Sequence, residues 1–380
     1  MKPTVLFLAT ALTLTAAQPP AEWIAAGEKR RAEIPLGGDL KPNPKAPVFV
    51  AVGHGARILL SRDDGRTWRQ VFFGYPGSDH GMWATKSVAY ADGVFVVPVG
   101  WGAPTAYLAS EDGRRWRHLT DGSTRFQLKE AKGDPGVMPG AWSITGGDGT
   151  FVASGYMTMT ATPDLGRTFT TFSLRAFKDD PRPRKLVTHH VGSVYCGDAT
   201  RRFLALGNDR SKPNPVFGNL YASNDRGKTW RWLEPELLNR QCEGYTGILS
   251  NGRQVIIADK TGAHAFVSDD AGDTWTGPHP TGTTRVTMSL VNGEFWLLGK
   301  TSRASADGRT WRALPDGIPG GQIAASPAGT LVSIDRKRYD IQRSTDGGKS
   351  WSKVHEFAPE TEHVHGAQGL RDIAFGYVTP

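Results

Sequence analysis

The sequence predicts an all-β ring of seven four-stranded blades, a seven-bladed β-propeller, on three observations. One short phrase recurs seven times along the 380 residues, each copy lies among apolar runs of strand length, and the run missing from the first unit stands at the far end of the chain. The copies are Ser61-Arg-Asp-Asp-Gly-Arg-Thr-Trp68, Ser110-Glu-Asp-Gly-Arg-Arg-Trp116, Thr162-Pro-Asp-Leu-Gly-Arg-Thr-Phe169, Ser223-Asn-Asp-Arg-Gly-Lys-Thr-Trp230, Ser268-Asp-Asp-Ala-Gly-Asp-Thr-Trp275, Ser305-Ala-Asp-Gly-Arg-Thr-Trp311 and Ser344-Thr-Asp-Gly-Gly-Lys-Ser-Trp351. Five follow Ser/Thr-x-Asp-x-Gly-x-Thr/Ser-aromatic, and the second and sixth are one residue shorter. Their aspartates, at 63, 112, 164, 225, 270, 307 and 346, lie 37 to 61 residues apart. That is the length of one supersecondary unit, which cannot bury its apolar face alone.

The phrase has the chemistry of a turn. Glycine supplies positive φ without steric cost. The Asp carboxylate and the Ser/Thr hydroxyl accept bonds from turn N–H groups that no ladder satisfies, and the aromatic opens the next strand. Seven copies mark these aspartates as fasteners, because a catalytic pair is needed once. On these residues the chain resembles the Asp-box (BNR) repeat of sialidase-like β-propellers, over nearly its whole mature length. The resemblance implies an Asp-box in each blade. Activity has to be argued from the site, since one fold hosts many functions.

In the second unit, strands are predicted at Trp83–Tyr90, Val94–Val99, Ala106–Ser110 and Arg115–Leu119, with Ala91-Asp92-Gly93 as the first turn and the box as the last. Four short strands per unit make a propeller blade. The first unit begins at Val48–Val52, already a second strand, and its counterparts are Phe151–Ser154, Phe203–Leu206, Val255–Ala258, Phe295–Leu298 and Thr330–Ser333. The missing inner strand is predicted at Leu370–Val378. Pairing it with the first blade closes the ring by a C-terminal strand and leaves no open ring edge. Residues 47–380 are therefore read as a single domain.

Ahead of that domain, Met1-Lys2 precedes the apolar run Val5–Leu14 and then Thr15-Ala16-Ala17-Gln18. This is the pattern of a signal peptide over residues 1–17, so the protein is expected to be secreted or periplasmic. The run is too short to span a bilayer, and no transmembrane segment is expected later. Residues 18–46, rich in Pro, Gly and charge, are expected to form a leader along the ring. Export permits a disulfide between Cys196 and Cys242, in neighbouring units; two buried thiols are the alternative. A net charge of +8 raises a nucleic-acid partner. Many cations, such as Arg66, Arg114, Lys228 and Lys349, fall inside the boxes and form a solvated rim, and export removes nucleic acid. Attraction to an anionic polysaccharide is the better reading. No cofactor is implied, and a monomer is expected.

Loops leading into the inner strands, and loops after the second strands, should gather on the ring face opposite the boxes. They carry the candidate site residues. His54 and His80 fall at equivalent heights on neighbouring blades, and His189 lies before a later inner strand. Imidazoles are readily poised for proton transfer near neutral pH, with Tyr245 as a proton partner. Arg285, Lys300 and Arg336 are candidates to neutralise a substrate carboxylate. Trp83, Trp101 and Trp142 could stack sugar rings or pack between blades, and Asp79 is a further candidate for substrate binding. His363-Val-His365 has metal-ligand spacing but no third ligand in view, so no metal site is assigned.

A His/Tyr pair with Arg neutralisation suits β-elimination from a uronate. This layout of residue types is similar to propeller-fold polysaccharide lyases such as ulvan lyases and rhamnose–glucuronate lyases. Sialidases typically carry an Arg-Ile-Pro phrase. Here Glu33-Ile34-Pro35 has Glu where the Arg should be, and it lies ahead of the first blade. The expectation is a secreted carbohydrate-active enzyme that cleaves an acidic oligo- or polysaccharide, uronate- or sialate-containing, by lyase-like chemistry. A sialidase-like exo-glycosidase is one alternative. A non-catalytic propeller that binds glycan or assists protein assembly is the other, since bacterial photosystem assembly-factor propellers also resemble this box pattern.

Overall fold

A computed structural model of the chain describes residues 40–73, 85–99, 106–120, 141–155, 158–174, 192–207, 219–242, 244–335, 340–356 and 369–380. They form seven four-stranded antiparallel sheets arranged as the blades of a propeller. The inner strands, blade 1 to blade 7, are Leu370–Val378, Ala89–Ala91, Ala141–Gly147, Gly192–Tyr195, Tyr245–Ser250, Thr287–Val291 and Gln322–Ala325. Each touches the next around the hub. The predicted closing strand has the bounds the sequence suggested, and it pairs with Ala46–Gly53 from Val378 opposite Ala46 to Leu370 opposite Gly53. Blade 1 is thus built from both ends of the chain.

Two predicted strands of blade 2 shift. The inner strand is Ala89–Ala91, residues 85–88 precede it as irregular chain, and Trp83 lies outside the described residues. The outer strand is Arg117–Thr120 because Arg115 donates its N–H to Asp112 Oδ1 at 2.8 Å and so belongs to the turn. The hairpin turn is Asp92-Gly93, with φ of 49° and 85°. This left-handed pair matches the twist of the strands it joins.

The core is divided into seven layers, one between each pair of neighbouring blades. Alternation along each second strand makes this possible. Val48, Val50 and Val52 face blade 2, while Phe49 and Ala51 face blade 7. Val255 and Ile257 face blade 4, while Ile256 and Ala258 face blade 6. Both faces are buried, which is why these strands read as unbroken apolar runs. Cys196 and Cys242 are buried free thiols in the layer between blades 4 and 5. One follows an inner strand and the other precedes the next, so they sit at opposite ends. Burial pushes each thiol up to about 12.

The boxes fasten one face of the ring, called here the underside. In the fourth, Ser223 Oγ donates to Asp225 Oδ1 at 2.8 Å and accepts the Gly227 N–H at 2.9 Å. Asp225 accepts the Thr229 N–H at 2.9 Å and its hydroxyl at 2.5 Å, and Trp230 Nε1 donates to the Gly227 carbonyl at 3.0 Å. Each box also leans on the blade before it. A Cβ at Gly227 would stand 2.6 Å from Ala161 Cβ of blade 3, and one at Gly65 would stand 2.7 Å from Val332 of blade 7. The junction of blades 7 and 1 has an added clasp, in which Asp64 accepts from Ser326, Thr330 and Arg343. Residues 40–45 run beside blade 2, with the Asn43 N–H on Thr379 Oγ1 at 2.9 Å and Leu40 buried in the layer between blades 2 and 3.

Candidate functional site

The hairpin turns between first and second strands share the underside with the boxes, as the Asp64 clasp and the Arg226–Asp148 ion pair at 3.0 Å show. The remaining connections therefore leave from the opposite, upper face. Among the described residues this face is best defined on blades 5 and 6. Three connections meet there: residues 260–263 after Val255–Asp259, residues 281–286 before Thr287–Val291, and residues 299–302 after Glu294–Leu298.

Backbone hydrogen bonds join them into a shelf. The Thr281 N–H donates to the Ala263 carbonyl at 2.9 Å, the Arg285 N–H to Thr261 at 2.7 Å and the Lys300 N–H to Thr284 at 3.4 Å. Thr281 Oγ1 donates to the Gly262 carbonyl at 2.6 Å. A Cβ at Gly262 would stand 2.6 Å from Val286, so the glycine admits the close approach of the two connections. Arg285 holds φ of 56°, a conformation uncommon for a residue with a side chain, and its bond to Thr261 keeps it there.

Three predicted site residues are brought together on this part of the face. Tyr245 opens the inner strand of blade 5 directly opposite Asp259. Arg285 and Lys300 are exposed on the shelf and make no ion pair with a described residue. His54 lies in a short turn, His54–Ala56, on the upper face of blade 1, and Trp142 lies in the inner strand of blade 3; the side chains of both are outside what is described. Asp79, His80, Trp83, Trp101, His189, Arg336, His363 and His365 lie outside the described residues.

The structure adds bonds, around groups on these loops, that loop position alone did not reveal. Asp259 Oδ2 bonds His264 Nδ1 at 2.9 Å, while its Oδ1 accepts from the Thr261 N–H at 2.9 Å and hydroxyl at 2.7 Å. Burial works to raise this carboxyl, but the bonds from Thr261 and His264 outweigh it and hold the group below the usual carboxylate range. His264 is 47% exposed, and its Nε2 has no partner among the described residues. Arg303 Nε donates to the Gly282 carbonyl at 3.3 Å, which leaves Nη1 and Nη2 without acceptors among the described residues. On blade 1, just after the His54 turn, buried Arg57 stacks on the Phe73 ring at 4.9 Å. The sequence signal for the pair was Asp259-Lys-Thr-Gly-Ala-His264, a side-chain-capped turn followed by an imidazole.

The family model for the BNR/Asp-box repeat matches residues 342–353, within the seventh blade. No curated protein matches the chain in sequence. Among solved structures, a functionally unknown protein from Desulfotomaculum acetoxidans is 13% identical and covers 86% of this chain and 100% of its own, at a TM-score of 0.55. A putative 6-phosphogluconolactonase from Bacteroides uniformis is 10% identical over 87% of this chain and 99% of its own, at 0.54. YCF48 bound to a D1 peptide is 15% identical over 92% of this chain and 100% of its own, at 0.50. At such identities the likeness is one of fold. With seven fasteners of one kind, seven blades and closure by the C-terminal strand, the chain is an Asp-box (BNR) repeat β-propeller.

Proposed function

We propose that the upper mouth of the ring takes an acidic oligosaccharide, uronate- or sialate-containing, and cleaves it beside its carboxylate. The observation that carries this reading is the cationic shelf on blades 5 and 6. Arg285 and Lys300 stand exposed there, without an acidic partner among the described residues, on connections tied to one another. A guanidinium and an ammonium so placed favour a bound carboxylate. Damping that charge makes the neighbouring C–H more acidic, the requirement for lyase-like elimination. In this reading His54, His80 and His189 supply proton transfer with Tyr245, and Arg336 adds a third cation. Trp83, Trp101 and Trp142 stack sugar rings, and Asp79 holds a hydroxyl. Sialidase-like hydrolysis of the same ligands is the alternative chemistry.

The test is a panel of uronate- and sialate-containing oligosaccharides with neutral counterparts, measured for binding and for products. Binding selective for the acidic members is expected, weakened about tenfold or more in Arg285→Ala. Ultraviolet absorbance from an unsaturated product marks elimination, and reducing ends without it mark hydrolysis. Wild-type protein that ignores every acidic member overturns the reading. A second reading, a propeller that receives a peptide carboxylate on the same shelf, is favoured by the peptide complex of YCF48, which shares the fold. Acidic peptides in the same panel separate the two.

A further inference from the structure

We propose that Arg303 joins Arg285 and Lys300 as a carboxylate receptor of this face and that His264, oriented by Asp259, is a proton acceptor beside it. This rests on the reading of the upper face as an acidic-glycan site and names the chemistry within it. The first observation is how Arg303 is held. Its Nε donates to the Gly282 carbonyl at 3.3 Å, and Thr301 Oγ1 donates to the same oxygen at 3.2 Å. A Cβ at Gly282 would stand 3.4 to 3.5 Å from the guanidinium, so the glycine lets that plane lie against the backbone. Pinning Nε fixes the fork, and Nη1 and Nη2 are a pair of donors with no acceptor among the described residues. That pair matches the two oxygens of a carboxylate end-on.

The second observation is independent. Asp259, with 15% of its side chain exposed, is held by the Thr261 N–H and hydroxyl and by the Ala263 N–H, and it accepts a hydrogen bond from His264 Nδ1. This fixes the tautomer that leaves Nε2 as an acceptor on the exposed side of the ring. The two groups share one support. His264 stands opposite Pro280 in the sheet, Ala263 accepts from the Thr281 N–H, and the next residue, Gly282, carries Arg303. Arg285 and Lys300 add positive charge beside them.

With a uronate bound, Nε2 takes the proton from the carbon next to the carboxylate. The electron pair of that C–H bond forms the new C=C bond as the adjacent C–O bond breaks, and the leaving oxygen takes a proton from solvent water. No oxidant or other co-reactant is needed.

The experiment uses the full mature chain and oligoglucuronate as the probe. Arg303→Lys keeps the charge and loses the fork, and it should weaken binding about tenfold. His264→Gln should leave binding within about twofold while lowering kcat about a hundredfold or more and removing the acidic limb of the pH–rate profile. Asp259→Asn should lower kcat and shift that limb. Far-ultraviolet circular dichroism checks each fold, and chemical-shift changes at the His264 ring on adding probe to the wild type give a readout that needs no variant. Wild-type binding that Arg303→Lys leaves unchanged overturns the receptor role alone. Turnover unaffected by His264→Gln, or binding without turnover, overturns the acceptor role. A wild type that binds no acidic glycan overturns the parent reading and this one with it.

Discussion

At the scale of single residues, the box combines a backbone requirement with a contact requirement, and the two can be separated. In the long boxes the residue before the box glycine is left-handed as well. Asp64, Leu165, Arg226 and Ala271 have φ between 56° and 60°, and Gly347 has 73°. The sequence did not reveal this, because four unrelated side chains occupy the position. Gly347→Ala meets nothing within 4 Å and loses only the freedom of its backbone, so it should cost about 1 kcal/mol. Gly227→Ala adds a Cβ 2.6 Å from Ala161 to the same backbone strain and should cost about 2–4 kcal/mol. Urea midpoints at an unchanged slope would measure the difference. Equal costs would mean that the box does not bear on its neighbour.

At the scale of elements, strands buried on both faces were the most legible. Val48–Val52 was found from its apolar run, and the closing strand Leu370–Val378, only partly buried, from a unit that lacked its inner strand. The inner strand of blade 2 was predicted too long, because an apolar stretch leading into a strand has no feature that marks its first ladder bond. The outer strand was misplaced by the short box, whose Asp112 captures two further backbone N–H groups. Closure is itself an element-scale claim. Asp372 on the closing strand accepts from Ser87 Oγ at 2.9 Å and the Val88 N–H at 3.0 Å, so that strand secures blade 2 as well as blade 1. Deleting residues 370–380 should abolish the single cooperative unfolding transition and expose the blade 1 strands to limited proteolysis. A truncated chain that melts like the intact one would show that closure is dispensable. The site was less legible than the frame. Tyr245, Arg285 and Lys300 could be placed from loop position alone, whereas the holding of Arg303 depends on a bond between two connections that no local pattern encodes, and the Asp259–His264 pair sits within one capped turn whose local pattern the sequence reading passed over.

At the scale of the molecule, stability is spread over seven interfaces of similar make, and six boxes share one titration behaviour. Asp63, Asp164, Asp225, Asp270 and Asp307 are opposed by burial, but hydrogen bonds to their carboxylates prevail and hold them below their ordinary value. Asp346 is lowered chiefly by its bonds to Ser350. A carboxyl depressed in the folded state contributes stability that is fully present above its unfolded value, about 4. That contribution is lost as pH falls from there through the folded values, because the unfolded chain takes up protons first. The contribution of the boxes to unfolding free energy should therefore be level in pH above about 5 and fall steeply below about 4. Denaturant titrations across that range would detect it, and a flat profile would remove the boxes from the account of stability.

The contrast between the two faces reaches beyond energetics. Fastening turns of nearly constant length line one side, where the other hairpin turns run from two residues (92–93) to seven (196–202), so most of the variation in box spacing, from 37 to 61 residues, is absorbed by connections on the other. A lineage carrying this scaffold can lengthen, shorten or rewrite those connections one at a time, while the clasps below hold the wheel in register. Innovation is thereby concentrated on one surface, and two descendants could come to differ wholly in what they recognise while their boxes stayed superimposable.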